Sequence, residues 1–429
     1  MSRRNFLKLC SLAGLGFATP IGMSSLLRAK EPAADSAGYA GPFYVVFNAS
    51  GGWDTTYLMD PKGVEGINRL YKEEDILTAG NHRFAPIAKH IEKGMSNEDF
   101  FAKYGSELRT LNGLDFSVNN HSPCARYMAT GKLDSLAYPT FPALVAACFG
   151  AEAPLAFLTF GNYSATGNLV PMSRVPYLQS LNLLAKADSV EGNERAPYHD
   201  PLVSDRIERA LEEQFQARVS EARLPRVERS QSMLYSAQVN SKALQRVVPF
   251  IPTEQSKERL GQQADIALAS FKAGVCVSAN LSIGQFDSHN NNPDQMKLIP
   301  EFLAGIDYVI RRAEELKIRE KLVVIIQSEM GRTPTYNNGN GKDHWSIGSI
   351  MFLGTGIAGN HVIGATDEKQ LLVPINPKTL DIDKERGVRV RPEHIHLALR
   401  EFAGIQGHPF SKQFPLMVPD QEQLKGFWG

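Results

Sequence analysis

Four short clusters in this 429-residue chain gather residue types that bind cations or anions, and each follows a predicted strand. The first is Gly51-Gly52-Trp53-Asp54, where two glycines permit a tight backbone path and Asp54 offers a carboxylate to a metal. The plainer reading of Asp54 taken alone is a turn aspartate. The second is Asn120-His121-Ser122-Pro123-Cys124-Ala125-Arg126, in which Ser122 before Pro123 predicts a helix start with serine as N-cap. Such a serine faces free backbone amides and the positive end of the helix, a setting that favours an alkoxide nucleophile, while Arg126 one turn on can hold the oxygens of a phosphate or sulfate. A capped helix with a surface arginine explains the same residues. The third is Gln285-Phe286-Asp287-Ser288-His289, followed by three asparagines. Asp287 and His289, two apart in a loop, can turn a hard oxygen and a borderline-soft nitrogen to one cation, and a polar turn is the alternative. The fourth joins Ser328-Glu329-Met330-Gly331-Arg332 to Gly341-Lys342-Asp343-His344-Trp345. It offers Glu329, Asp343 and His344 as ligands and Arg332 as an anion contact, with turn-rich Asn337-Asn338-Gly339-Asn340-Gly341 between. His394 and His396, on a helical pattern near the C-terminus, read as structural.

The elements that must position these clusters are short apolar runs at 43–47, 155–160, 275–283, 322–326 and 350–353, with a further expected strand over 108–114. Continuous apolar runs bounded by Gly-rich turns suit strands buried on both faces, and the helical patterns between them predict a largely parallel sheet covered by helices. In such sheets ligands bind at the carboxyl ends of the strands, where all four clusters fall. From about residue 200 to 273 the chain is charged, with apolar residues at Ile207, Leu211, Phe215 and Val219 forming one helical stripe. Pro225 and Pro252 interrupt it, so this region reads as a helical insertion within a single domain spanning 42–429.

The opening Ser2-Arg3-Arg4-Asn5-Phe6-Leu7-Lys8 precedes an uncharged, Gly-, Ser- and Ala-rich stretch from Leu9 to Leu27. This reads as a twin-arginine signal peptide over residues 1–30, followed by a linker over 31–41, and implies the twin-arginine translocase as partner and a periplasmic or extracellular location. No later segment reaches eighteen consecutive apolar residues, so no stable membrane span is expected in the mature protein. Lysine plus arginine and aspartate plus glutamate each number 46, and five of the basic residues lie in the first thirty positions. The mildly acidic remainder gives no reason to expect nucleic acid as a partner. Of the four cysteines, Cys10 lies in the signal segment, and the remaining Cys124, Cys148 and Cys276, an odd number without Cys-x-x-Cys spacing, exclude a disulfide framework and a cysteine zinc site.

Taken together, the twin-arginine start, the Gly51-Gly52-Trp53-Asp54 turn, Asp287-Ser288-His289, Ser328-Glu329-Met330-Gly331-Arg332 with Asp343-His344, and Gly364-Ala365-Thr366-Asp367-Glu368 resemble an exported bacterial family of unknown function related to the alkaline phosphatase and sulfatase superfamily. The resemblance implies an α/β class, alkaline-phosphatase-like α/β/α sandwich with a mostly parallel central sheet. It also implies two divalent cations at the strand ends, flanking a Ser, Thr or formylglycine nucleophile at a helix start. By position, Asp54 matches the first-strand metal ligand, Ser122 the nucleophile, Asp287 and His289 a later ligand pair, and His344 the last histidine. Two departures stand out. Glu329-Met330 replaces an adjacent Asp-His pair, which weakens the second metal position, and the spacing around Pro123 does not suit formylglycine.

Two functions compete on this basis. One is a hydrolase of phosphate or sulfate esters using one or two divalent cations (zinc, magnesium or calcium), with an anionic small molecule or glycan as substrate. The other is a non-catalytic periplasmic or surface binding protein that keeps the fold and a degraded metal site.

Overall fold

A computed structural model describes residues 38–429 except 90, 91, 93, 162, 186–188, 191, 192, 198, 222, 223, 225, 226, 228–230 and 232–239. The signal segment over residues 1–30 and most of the linker expected over 31–41 lie outside the described residues, as does Pro225.

Eight strands form the central sheet. In chain order they are β1 (Phe43–Ala49), β2 (Arg109–Asp115), β3 (Phe157–Thr159), β4 (Met172–Ser173), β5 (Ser278–Ile283), β6 (Leu322–Gln327), β7 (Ile347–Gly354) and β8 (His361–Ile363). Across the sheet they lie in the order β8-β2-β7-β6-β1-β5-β3-β4. β1 pairs in parallel with both β5 and β6, β5 with β3, β3 with β4, and β2 with β8. β7 alone runs against its neighbours β6 and β2. The sheet is therefore mostly parallel, and the run expected over 350–353 proves to be its one reversed member. The reversal costs little sequence signal, because β7 is buried on both faces like its parallel neighbours.

The residues of β1 show why both faces must be covered. Phe43, Val45 and Phe47 face one apolar layer, with Leu260, Ile299 and Phe302, and Tyr44 and Val46 face another, with Phe141, Leu144 and Ile395. Period-two alternation with apolar residues on both sides is the mark of a strand sandwiched between helices, each buried side chain contributing roughly 1.5–3 kcal/mol. The helices that matter for the site are α1 (His121–Thr130), α2 (Arg259–Lys272) and α3 (Gln295–Glu315). Within the region expected to be a helical insertion, the described residues hold a helix over Pro201–Glu221, a 3₁₀ stretch over Asn240–Phe250 and α2. Phe215 of the predicted stripe is buried, whereas Ile207 is 43% exposed.

α1 begins earlier than Ser122 would suggest. Its N-cap is Asn120, whose carbonyl accepts from the Cys124 amide at 3.0 Å, so His121 and Ser122 are the first two helical residues. Pro123 lacks an N–H and is accommodated anywhere in the first turn, so it did not pin the start to its own predecessor. The helix ends on Gly131, left-handed at φ 71°. Among the described residues no helix is long and apolar enough to cross a membrane. Cys124, Cys148 and Cys276 are all unpaired, and burial pushes their thiols up.

Candidate metal centre

The loops after β1, β2, β5 and β6 meet at the carboxyl ends of the central strands. The turn after β1 is pressed between two of them. Gly51, at φ 119°, lies so close to the next loop that a Cβ there would sit 2.5 Å from the Asp287 amide nitrogen. Only glycine fits both the dihedral and the space. Its own amide donates to Glu329 Oε1 at 2.7 Å. Gln295, the first residue of α3, ties the loops together: its Oε1 accepts from the Asp54 amide at 2.7 Å, and its Nε2 donates to the carbonyls of Gly52 and Phe286 and to Ser288 Oγ. Gln285 sits at φ 83°, a conformation that a non-glycine residue holds only where its surroundings impose it.

Three histidines converge on Asp287. Nε2 of His121 lies 3.3 Å from Asp287 Oδ2, and Nε2 of His289 and of His344 lie 3.1 and 3.4 Å from Oδ1. The His289 and His344 Nε2 atoms are themselves 2.9 Å apart. Each ring is held from behind by its other nitrogen. Nδ1 of His121 meets Glu329 Oε1 at 3.2 Å, Nδ1 of His289 meets Asp343 Oδ1 at 2.9 Å, and Nδ1 of His344 meets the Asn119 carbonyl at 2.9 Å. A neutral imidazole that donates from Nδ1 to an oxygen keeps its lone pair on Nε2. With that tautomer on all three rings, three lone pairs and a carboxylate point at one another, and a cation would satisfy them together. This is the arrangement that metal-ligating histidines adopt, each oriented by an oxygen behind it. His121, Asp287 and His344 have ligand atoms all within 4.8 Å of one another, close enough to share an ion.

The charges shift accordingly. The Glu329 carboxylate raises His121, against the effect of burial, with Asp287 adding to it. Burial lowers His344, as do the neighbouring His121 and Arg332. For Asp287, burial works upward but the Arg332 guanidinium and the histidines outweigh it and hold the carboxyl below its usual range. His289 and Asn337 do the same for the exposed Asp343. Glu329 is itself buried, and its second oxygen, Oε2, has no hydrogen-bond partner. A buried carboxylate oxygen left open on the residue that holds His121 fits a site built for a cation.

The remaining residues singled out from sequence lie differently. Asp54 is fully buried and closed off: its Oδ2 takes Lys342 Nζ and Asn292 Nδ2, each at 2.7 Å, and its Oδ1 takes the hydroxyl and amide of Thr56. It faces a lysine, and every lone pair that a metal would use is engaged. Arg332 is turned inward. Its Nε donates to Gly52 O at 2.8 Å, Nη1 to Lys342 O at 3.1 Å, and Nη2 to both Gly51 O and Asp287 Oδ1. It braces the loops and Asp287, and the anion contact expected of it is occupied here by the Asp287 carboxylate. Arg126 sends Nε to the Leu133 carbonyl at 2.8 Å, toward the end of α1 instead of its start. Ser122 is exposed in the first turn, next to His121. Asp343 stands behind His289 as its oxygen partner. Met330 is fully buried in the apolar layer with Tyr44 and Val46, and contributes no donor. His396 is sealed against the Met128 carbonyl at 2.8 Å, and burial lowers it to about 4.

His121 and Lys342 were not picked out as functional from sequence. The signal for His121 was its place directly after a strand and at a helix start, obscured by the adjacent Ser-Pro pair.

The family model for proteins of unknown function named DUF1501 matches residues 45–380. The chain belongs to the DUF1501 family. No curated protein matches it in sequence. Among solved structures, it is similar to the PsFucS1 sulfatase from Pseudoalteromonas sp., at 9% identity and a TM-score of 0.40, covering 99% of this chain and 78% of that one. It is also similar to the lipoteichoic acid synthase LtaP from Listeria monocytogenes (8% identity, TM-score 0.36, 90% and 75% covered) and to a sulfatase-like protein from Bacteroides thetaiotaomicron (10%, 0.32, 89% and 72%). At such scores a likeness decides nothing about chemistry, which rests on the side chains described above.

Proposed function

We propose that this DUF1501 member is a metal-dependent hydrolase of anionic esters, phosphate or sulfate, exported by the twin-arginine route to act on a small molecule or glycan outside the cytoplasm. The observation that carries the reading is the convergence of three imidazole Nε2 atoms on Asp287 with an oxygen behind every ring. His121, Asp287, His289 and His344 would hold the ion, with Glu329 Oε2 in reserve behind them. Three nitrogens and one carboxylate suit zinc or a similar transition ion, whereas magnesium and calcium prefer oxygen cages. A bound divalent ion supplies Lewis acidity toward a phosphoryl or sulfuryl oxygen.

The chain's own residues do the rest. Asp343, Glu329 and the Asn119 carbonyl hold the three rings in the tautomer that leaves Nε2 free. Arg332 fixes the turn after β1 against Asp287. Ser122, exposed one residue from His121 where the helix amides are unsatisfied, is the side chain this reading assigns to attack. The non-catalytic reading is favoured by one observation, the closure of Asp54 by Lys342, which removes a ligand that a two-metal hydrolase would use.

The experiment is a screen of phosphomonoesters, phosphodiesters and sulfate esters with the purified mature protein, run with Asp287→Ala and Ser122→Ala. The hydrolase reading expects turnover that Asp287→Ala abolishes and chelation removes. A protein that binds metal but turns over nothing favours the binding-protein reading, and activity untouched by Asp287→Ala contradicts the site.

A further inference from the structure

We propose that Lys342 is a built-in cation that fills a second cation position at Asp54, so that the centre takes one divalent ion and not two. The inference rests on the metal reading of the three-histidine site given above, and concerns what that site does not need.

Both members of the Asp54–Lys342 pair have fully buried side chains, and Nζ lies 2.7 Å from Oδ2. The ammonium is enclosed further by aromatic faces, with the Tyr336 ring centroid 5.0 Å away and that of Tyr57 at 5.8 Å. A lysine buried this deeply keeps its charge only where a carboxylate and polarisable faces replace water. The same lysine is part of the loop that carries the metal ligands: its amide donates to Ser288 O and its carbonyl accepts from Arg332 Nη1, and Asp343 and His344 follow it directly. Lys342 therefore neutralises Asp54 and in doing so fastens His344 to the turn after β1.

Charge counting points the same way. Asp287, Glu329 and Asp343 surround the three imidazoles, and among the described residues Arg332 is the one fixed cation paired with these carboxylates, leaving two negative charges uncompensated. That is the charge of one divalent ion. Asp54 and Lys342 cancel, so no deficit remains to attract a second. Nor does the ligand set provide for one, because Met330 is packed into the apolar layer.

The test counts ions. Full-length mature protein is stripped, equilibrated by dialysis against zinc and, separately, manganese(II), and the bound metal is measured by elemental analysis. The proposal expects one ion per chain in the wild type and a second, weaker ion in Lys342→Ala, whose freed Asp54 carboxylate and vacated space accept it. In the double variant Asp54→Asn/Lys342→Met it expects one ion, with affinity within about threefold of the wild type, since a neutral pair of similar shape replaces the ionic one. Two ions in the wild type, a folded Lys342→Ala that still takes one, or loss of the ion from the double variant would each overturn it. If Lys342→Ala does not fold, the wild type and the double variant decide. No ion in the wild type overturns the metal reading itself, a different failure from two.

Discussion

Asp54 and Asp287 make an instructive pair. Both follow a central parallel strand, both sit in loops that glycine or strained backbone brings close together, and each is contacted by a buried cationic side chain. Asp54 is sealed, with a lysine, an asparagine and a threonine accounting for its oxygens. Asp287 is 44% exposed at the side chain and faces the Nε2 atoms of three histidines at 3.1–3.4 Å. A carboxylate at a strand end is thus an opportunity and not yet a ligand. Since both carry a cationic contact, what separates them is whether further donors close the remaining oxygens, as Asn292 and Thr56 do for Asp54.

The comparison breaks most visibly at its closed half. Lys342→Met leaves a buried carboxylate uncompensated and should destabilise the fold by roughly 3–5 kcal/mol, read from urea unfolding, while adding Asp54→Asn should restore most of that loss. Equal stability of the single variant and wild type would show that Asp54 is not sealed. At the open half, Asp287→Asn should weaken zinc binding by more than about 100-fold, because it removes the only carboxylate that all three rings face, with little loss of fold stability. Glu329→Gln, which unfastens His121 but takes no direct ligand away, should cost about 10–100-fold in zinc affinity, measured by competition with a chromophoric chelator.

A sealed histidine sharpens the contrast. His396 is neutral when buried, its value lowered from 6.5 to about 4. Above pH 6.5 the ring is neutral folded or unfolded and contributes nothing. Below it the unfolded chain gains a proton that the folded one refuses until about pH 4, so stability falls with falling pH across that window. The loss should be on the order of 2 kcal/mol at pH 5, and His396→Gln, which can still donate to the Met128 carbonyl, should flatten that part of the profile. The smallest effect belongs to Asp343→Asn. An exposed side chain that still accepts from His289 Nδ1 through its amide oxygen should cost less than about tenfold in zinc affinity and leave stability within about 0.5 kcal/mol.

Much of the sheet is legible in the sequence because strands buried on both faces declare themselves as apolar runs, and β1, β5 and β6 fall on such runs, while β2 falls on the more polar strand expected over 108–114. The direction of β7 was not, since its burial pattern is the same in either orientation and only pairing with β6 and β2 reveals it. In the site, Asp287, His289, Glu329, Asp343 and His344 could be picked out because each follows a strand or a Gly-rich turn. The fate of Asp54 could not, because its partner lies 288 residues away and a lysine among asparagines and glycines gives no local sign of burial. The inward turn of Arg332 has no local sign for a related reason: three of its four hydrogen-bond partners are backbone carbonyls, which have no signature in residue type, and the fourth is Asp287, 45 residues away. His121 stands beside the Ser-Pro pair, whose helix-start signal masks it.

The central claim is that three imidazoles and Asp287 hold one divalent ion at the strand ends. The most direct measurement is X-ray absorption at the zinc edge of the metal-loaded full chain, alongside Asp287→Asn. The account predicts a first shell of nitrogen and oxygen at about 2.0–2.1 Å with multiple-scattering from three imidazoles, lost or rearranged in the variant. A zinc shell without imidazole scattering, or a spectrum that Asp287→Asn leaves unchanged, would contradict it.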